Sequence, residues 1–321
     1  MNLRKAIRYS IVILFVVVMG FIGAELATSS ANGVWQKLGQ ITALQWAAVL
    51  CLALLNYLLR GLRWQIYLKR LDLHLPLLKS IYHYLGGFAF TLTPARVGEL
   101  VRLHWVAEAT GRKEPALLPL GVMDRVSDLL ATGVLLLTAI GFTSMGGGGT
   151  IVPVLFAFGI VYIATHPGFL RRSVEFGYWV LQRWPRAFAT MRHALGEIRT
   201  FMKPTILLPT TALGIIGWLA EAYALYLILE WLGAPLPFWL VVFIFKTALL
   251  GGGATGLPGG VGGIEAIMVG LLTLNSVPID IALAATAIIR AATLWFAVVL
   301  GFAAFPLAQW SNRQDKHAME V

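Results

Sequence analysis

Charge is scarce in this chain. Of 321 residues only 12% are Asp, Glu, Lys or Arg, whereas 58% are hydrophobic and the mean hydropathy is +0.78. Soluble domains carry roughly 25% charged residues, so the deficit excludes an ordinary soluble fold and leaves a polytopic membrane protein. Cysteine is nearly absent. The lone Cys51 excludes an internal disulfide framework and, inside an apolar run, reads as a small buried hydrophobe. There is no HExxH, no CxxC, no histidine pair at metal spacing and no GxxxxGK[ST]. Ser, His and Asp are too sparse to nominate a hydrolytic triad. Neither a cofactor nor an enzymatic activity is expected. Gly146 to Gly149 lacks the strand and helix that flank a phosphate loop and reads as a tether.

What the chain does have is apolar runs separated by basic loops. Spans are expected at about 7–24, 44–59, 116–141, 150–165, 206–229 and 281–308, an all-α architecture of about six transmembrane helices. Residues 1–310 form one transmembrane domain and 311–321 a cytoplasmic tail. The net charge of +10 would suggest nucleic acid in a soluble protein. Here the positive-inside rule accounts for it and no nucleic-acid partner is expected. Nearly all loop Lys and Arg fall on one side, with both termini, if the segments 80–107 and 238–276 each return to the side they left. The first is too short for two full spans of about 20 residues each, which favours a re-entrant pair of half-helices; the second allows either form. Arg60 and Arg63 end the second span and read as snorkelling anchors at the cytoplasmic interface.

Both segments are interrupted by helix breakers. Pro94-Ala95-Arg96-Val97-Gly98-Glu99 breaks one, and Pro258-Gly259-Gly260-Val261-Gly262-Gly263-Ile264-Glu265 breaks the other. Gly86-Gly87, Thr91 and Pro94-x-x-Val97-Gly98 match Gly251-Gly252, Thr255 and Pro258-x-x-Val261-Gly262. The segments enter from opposite sides, so the copies would be inverted repeats. Broken backbone at membrane depth persists only beside protein or a water-filled cavity, and paired breaks point to a midplane binding site.

Ten ionisable residues fall at membrane depth: Arg96, Arg102, Arg125, Lys246 and Arg290 against Glu99, Asp124, Asp128, Glu221 and Glu265. Each costs at least about 2.5–3.5 kcal/mol unless paired or hydrated. Asp124 and Asp128, one turn apart around Arg125, suit either a structural charge network or a ligand site. Arg96 and Arg102 flank Glu99 just after a break, where free backbone N–H groups and an arginine fork suit a lipid phosphate, or where Glu99 and Asp124 take up both arginines. Glu265 reads as a helix cap or as a cation or proton site. Lys246 and Arg290 read as counter-ions of Glu221 or Glu265, or as ligand contacts. The residues 166–203 mix arginines with Phe169, Phe176, Trp179 and Trp184, which suits an amphipathic segment on the anionic inner leaflet.

With Arg60-x-x-Arg63-Trp64, Thr93-Pro94-Ala95-Arg96-Val97-Gly98-Glu99-x-x-Arg102, Asp124-Arg125-x-x-Asp128 and Leu257 to Glu265 in view, the chain resembles the lysylphosphatidylglycerol synthase transmembrane-region, or flippase-like, family over about 5–305. The resemblance implies movement of lipids between leaflets. Some members carry a soluble aminoacyltransferase domain, which the residues after the last span leave no room for, so lipid aminoacylation is not expected. Stand-alone members associated with hopanoid synthesis or found near glycolipid genes widen the range of lipids. Where the family commonly has an aromatic or Ser near the second break, this chain has mostly glycine.

The expected function is transport of a phospho-, terpenoid or glycolipid across a bacterial inner membrane. Arg96, Glu99, Arg102, Asp124, Arg125, Asp128, Glu221, Lys246, Pro258, Gly259, Gly260, Gly262, Gly263, Glu265 and Arg290 supply the site. An integral membrane transferase acting on a polyprenyl or hopanoid lipid, or a membrane partner of a lipid-synthesis enzyme, are the alternatives. The oligomeric state is open.

Overall fold

The computed structural model describes residues 36–93, 99–143, 151–166 and 198–320, with isolated positions between 167 and 197. The expected first span at 7–24, the break at Pro94 to Gly98 with Arg96, the Gly146–Gly149 tether and most of 166–203 lie outside the described residues.

No strand occurs among the described residues. The helices are α1 (Ala43–Arg70), α2 (Leu77–Gly86), α3 (Val101–Thr110), α4 (Leu118–Phe142), α5 (Val152–Thr165), α6 (Pro204–Trp231), α7 (Phe238–Ala254), α8 (Gly263–Leu274), α9 (Ile279–Arg290) and α10 (Phe296–Glu320). Among the described residues four stretches are long and apolar enough to cross a bilayer: Ala43–Arg70, Glu114–Phe142, Pro204–Trp231 and Ile279–Ser311. The chain is a polytopic, all-helical membrane protein. The expected span at 150–165 is the 14-residue α5, shorter than the roughly 20 residues a full crossing needs.

Both interrupted segments are broken helical hairpins. The arms α2 and α3 have 10 residues each, and α7 and α8 have 17 and 12. At 1.5 Å per residue the first two reach only about 15 Å, half of a hydrocarbon core. The matched glycines sit where the arms of each hairpin touch. A Cβ on Gly86 would stand 3.0 Å from the Trp105 ring, and one on Gly87 3.4 Å from the Glu99 carbonyl; one on Gly252 would stand 2.6 Å from Ile264 Cα. Close backbone approach is the usual reason for small residues between membrane helices.

The chain enters both hairpins through the same turn. After α1, Asp72 takes a left-handed φ of 56° and the Leu73 N–H donates back to Leu68 O at 3.0 Å. After α6, Gly233 takes φ 80° and Ala234 N donates to Leu229 O at 3.0 Å. These six-to-one bonds close the helix ends, and Pro76 and Pro237 then start the next helices with matching φ/ψ of −53°/140° and −54°/134°. Thus a long helix, a proline-started hairpin and another long helix occur twice.

Glycine also governs how the halves join. α1 packs along α6, whose Gly214 and Gly217 leave room for Arg63 and Asn56 of α1; a Cβ on Gly217 would collide with the Asn56 amide. Gly301 of α10 lets the first hairpin lie on its backbone at Phe88–Ala89, and Phe305 packs against Phe90 and Trp105. The last helix therefore supports the first hairpin. Outward faces carry Leu137, Ile216, Leu283 and Val299, the apolar surface expected against lipid. Cys51 is on this surface, a correction to its expected burial: in a bilayer an outward thiol needs no protein cover.

Gly252→Ala is expected to destabilise the detergent-solubilised protein by about 1–3 kcal/mol, the usual cost of overpacking. Gly270→Ala in α8, where nothing lies within 4 Å of the added methyl, is expected to be neutral or to stabilise by up to about 1 kcal/mol through helix propensity. Thermal melting of the two variants checks the difference.

Candidate functional site

The second break is built by backbone that other residues rarely adopt. Gly259, Gly260 and Gly262 have φ of 61°, 67° and 84°, values that a side chain would strain. Two groups hold this unwound segment. Glu265, in the first turn of α8, accepts from Gly262 N at 2.8 Å. Arg290, the last residue of α9, ion-pairs with Glu265 and donates from Nη2 to Gly259 O at 3.0 Å. Glu265 is thus helix cap and counter-ion together. Arg290 stands directly before a wide π-helical turn at Ala291–Trp295. Such turns free carbonyls from the helical ladder, and the Tyr57 hydroxyl of α1 donates to that of Thr293.

The first hairpin has a related fastening. Glu99 is fully buried. It accepts from Thr91 Oγ1 at 2.9 Å and from Arg102 Nη2 at 2.7 Å, and it ion-pairs with Arg125 of α4. In each half, then, a carboxylate just past the break meets an arginine on the next long helix, 26 residues on in one case and 25 in the other.

Arg60 and Arg63 overturn one expectation. They do not snorkel to an interface. Helix α1 continues past them to Arg70, and they are only 3% and 0% exposed. Arg63 binds Asp124 at 2.5 Å and Asp128 at 2.8 Å; Arg60 binds Asp128 at 2.6 Å. Residues at i, i+3 on α1 thereby face residues at i, i+4 on α4. The carboxylates that stabilise these arginines come from a helix some 60 residues later, so the helix need not end where the arginines begin. Arg102 closes the network, 3.4 Å from Asp124 and stacked over Tyr84 at 4.4 Å. Of the two anticipated readings of Arg102, occupation by Glu99 and Asp124 is the one observed.

The second break meets the first hairpin. A Cβ on Gly259 would lie 2.9 Å from Leu92 of the first hairpin, and Leu92, Leu294 and Val298 form a small apolar cluster there. Beside this contact lies a cavity of about 370 Å³, bounded by both hairpins and by α1, α4, α5, α6 and α9. Of the residues anticipated from sequence, Arg125, Asp128, Glu221, Lys246, Gly259, Gly260 and Arg290 line it. Glu99, Arg102, Asp124, Pro258, Gly262, Gly263 and Glu265 do not; most of them hold the wall in place from behind. Sequence reasoning missed Tyr57, Arg60 and Trp218 as lining residues. Arg60 was detectable from its i, i+3 partner Arg63 matching the spacing of Asp124 and Asp128. Tyr57 and Trp218 carried no signal beyond their type.

Charge in the wall is unevenly satisfied. Arg125 keeps 39% of its side chain exposed while bound to Glu99. Glu221 accepts from Asn56 Nδ2 at 2.6 Å. Apolar Leu129, Phe156, Leu249 and Leu250 complete the lining. A cavity of this kind can hold a charged or polar group with an apolar extension alongside it.

A family model described as the lysylphosphatidylglycerol synthase transmembrane region matches residues 6–301. The chain belongs to this family. A UPF0104 membrane protein of Methanothermobacter thermautotrophicus is 27% identical over 278 residues, covering 79% of this chain and 81% of that protein. A second match to a UPF0104 membrane protein of the same organism is 27% identical over 121 residues, 36% of each chain. The family match spans both hairpins and all ten helices named above through residue 301, so the acid–arginine fastenings and the cavity lie inside the shared region.

Arg63→Ala is expected to cost about 3–5 kcal/mol, because it leaves Asp124 and Asp128 buried without their shared cation. Loss of monodisperse protein, or a large drop in melting temperature, checks it.

Proposed function

We propose that this protein moves an amphipathic lipid between the leaflets of the plasma membrane, with the headgroup in the cavity and the chains alongside in the bilayer. The observation that supports this reading is the meeting of the glycine-loosened second break with the first hairpin, beside a cavity with both charged and apolar walls. Polar cavities between discontinuous helices are where transporters hold ligand. Arg125 and Arg290 have a special place in it. Each lines the cavity while fastening one hairpin, so a headgroup that competes for either arginine loosens that hairpin. The glycines at the second break give the backbone freedom to follow.

With α5 counted as a crossing, the long–hairpin–long units run in opposite directions, and Lys69, Arg70, Lys79, Arg112, Lys113 and Lys203, at the helix ends and in the turns, collect on one side. By the positive-inside rule that side is the cytoplasm, as are both termini. An inverted pair of this kind lets the site face either leaflet by rocking one unit against the other.

Purified protein in liposomes containing nitrobenzoxadiazole-labelled phospholipids tests the reading. Dithionite is expected to bleach inner-leaflet label much faster than in protein-free vesicles. Arg290→Ala is expected to slow this exchange about tenfold or more, equivalent to one interaction of ~1.4 kcal/mol. Exchange equal to protein-free vesicles for every labelled lipid would end the proposal.

A further inference from the structure

Among the described membrane-depth residues every arginine has a carboxylate. Arg60 and Arg63 have Asp128 and Asp124, Arg102 and Arg125 have Glu99, and Arg290 has Glu265. Lys246 of α7 stands apart. It is 2% exposed and lines the cavity. No carboxylate of the described residues comes within ion-pair distance of its Nζ, and its ammonium lies over the Trp218 ring, 3.5 Å from the centroid. Asp128 and Glu221 share the wall but are engaged with Arg60 and Asn56. Donors are in excess here in another sense. Trp218 Nε1 and Arg60 Nε, from two more lining residues, have no acceptor among the described residues.

A buried ammonium that rests on a ring face, and whose two carboxylate neighbours already bind other groups, is poorly compensated. Removal from water costs more than a desolvated cation–π contact returns. A strong acceptor carrying one negative charge, and no donors of its own, would complete the site. A phosphodiester has those properties.

We infer that Lys246 is the receptor for a singly charged phosphate group and sets a preference for ligands that are net anionic. The inference rests on the proposed lipid-transport reading and specifies its substrate class. A zwitterionic head brings its own cation into a wall already rich in Arg60, Arg125 and Arg290, so it gains less. A neutral head leaves Lys246 as it was.

The test is calorimetric binding to the full-length protein in neutral detergent, using dioctanoyl phosphatidylglycerol, dioctanoyl phosphatidylcholine, dioctanoylglycerol and the soluble diester glycerophosphoglycerol. Phosphatidylglycerol is expected to bind at least about tenfold tighter than phosphatidylcholine, a difference of ~1.4 kcal/mol, and dioctanoylglycerol weakest. Lys246→Gln is expected to shrink that preference to about threefold or less, and Lys246→Arg to keep most of it. Without ligand, Lys246→Gln is expected to melt at or above the wild-type temperature, since it removes an unpaired buried charge. Equal binding of the two phospholipids by the wild type, a preference surviving in Lys246→Gln, or a lower melting temperature for that variant would overturn the inference. Glycerophosphoglycerol binding as tightly as the lipid would keep the anion receptor and overturn the lipid reading beneath it. Intact leaflet exchange without headgroup preference would do the reverse.

Discussion

A guanidinium inside a bilayer protein needs a carboxylate, and that requirement organises this molecule. Pairs of opposite charge link elements that share little sequence proximity: α1 to α4 through Arg60, Arg63, Asp124 and Asp128, the first hairpin to α4 through Glu99 and Arg125, and the second hairpin to α9 through Glu265 and Arg290. Buried ion pairs can often be replaced by well-packed apolar residues at no cost in stability. What the ionic version adds is direction: a carboxylate accepts only from donors at defined positions, so the pairs fix where the two hairpins lie. Around the second break the fastening is complete, with Arg290 reaching both the acid and the Gly259 carbonyl.

The two halves use the same parts in the same order. A left-handed residue and a proline lead into each hairpin, paired glycines let its arms touch, and an acid past its break meets an arginine 25 or 26 residues on. They differ where they meet. The first half contributes a dense network centred on Asp124; the second contributes glycine, Lys246 and Trp218. The cavity between them is therefore asymmetric, with ion-paired charge on one side and an ammonium that makes no ion pair with a described residue on the other. A site that must take up a charged group and release it needs this sort of imbalance, since full internal compensation would leave nothing for a ligand to satisfy.

Much of this was readable from sequence. Low charge and long apolar runs identified a polytopic helical protein, and Pro-Gly clusters in two of those runs located the broken hairpins. The scarcity of charge at membrane depth made each of those residues a candidate, and seven of the fifteen anticipated line the cavity. What was not readable depended on contacts distant in sequence. Hydropathy ends a span at its first arginines, yet Arg60 and Arg63 remain inside because α4 supplies Asp124 and Asp128. Asn56 reads as a weak helix former until Gly217 and Glu221 of α6 are placed against it. The repeated turn was concealed because Asp72 stands where Gly233 does; one backbone conformation served by two residue types leaves no sequence match.

The central claim is that two broken hairpins enclose a hydrated polar cavity within the membrane. Cysteine accessibility measures this directly. In a Cys51→Ser background, Thr132→Cys lines the cavity and Leu283→Cys faces lipid. A membrane-impermeant, water-soluble thiol reagent applied to proteoliposomes is expected to label position 132 rapidly and position 283 hardly at all. Labelling of Thr132→Cys no faster than Leu283→Cys, from either side of the membrane, would contradict the account.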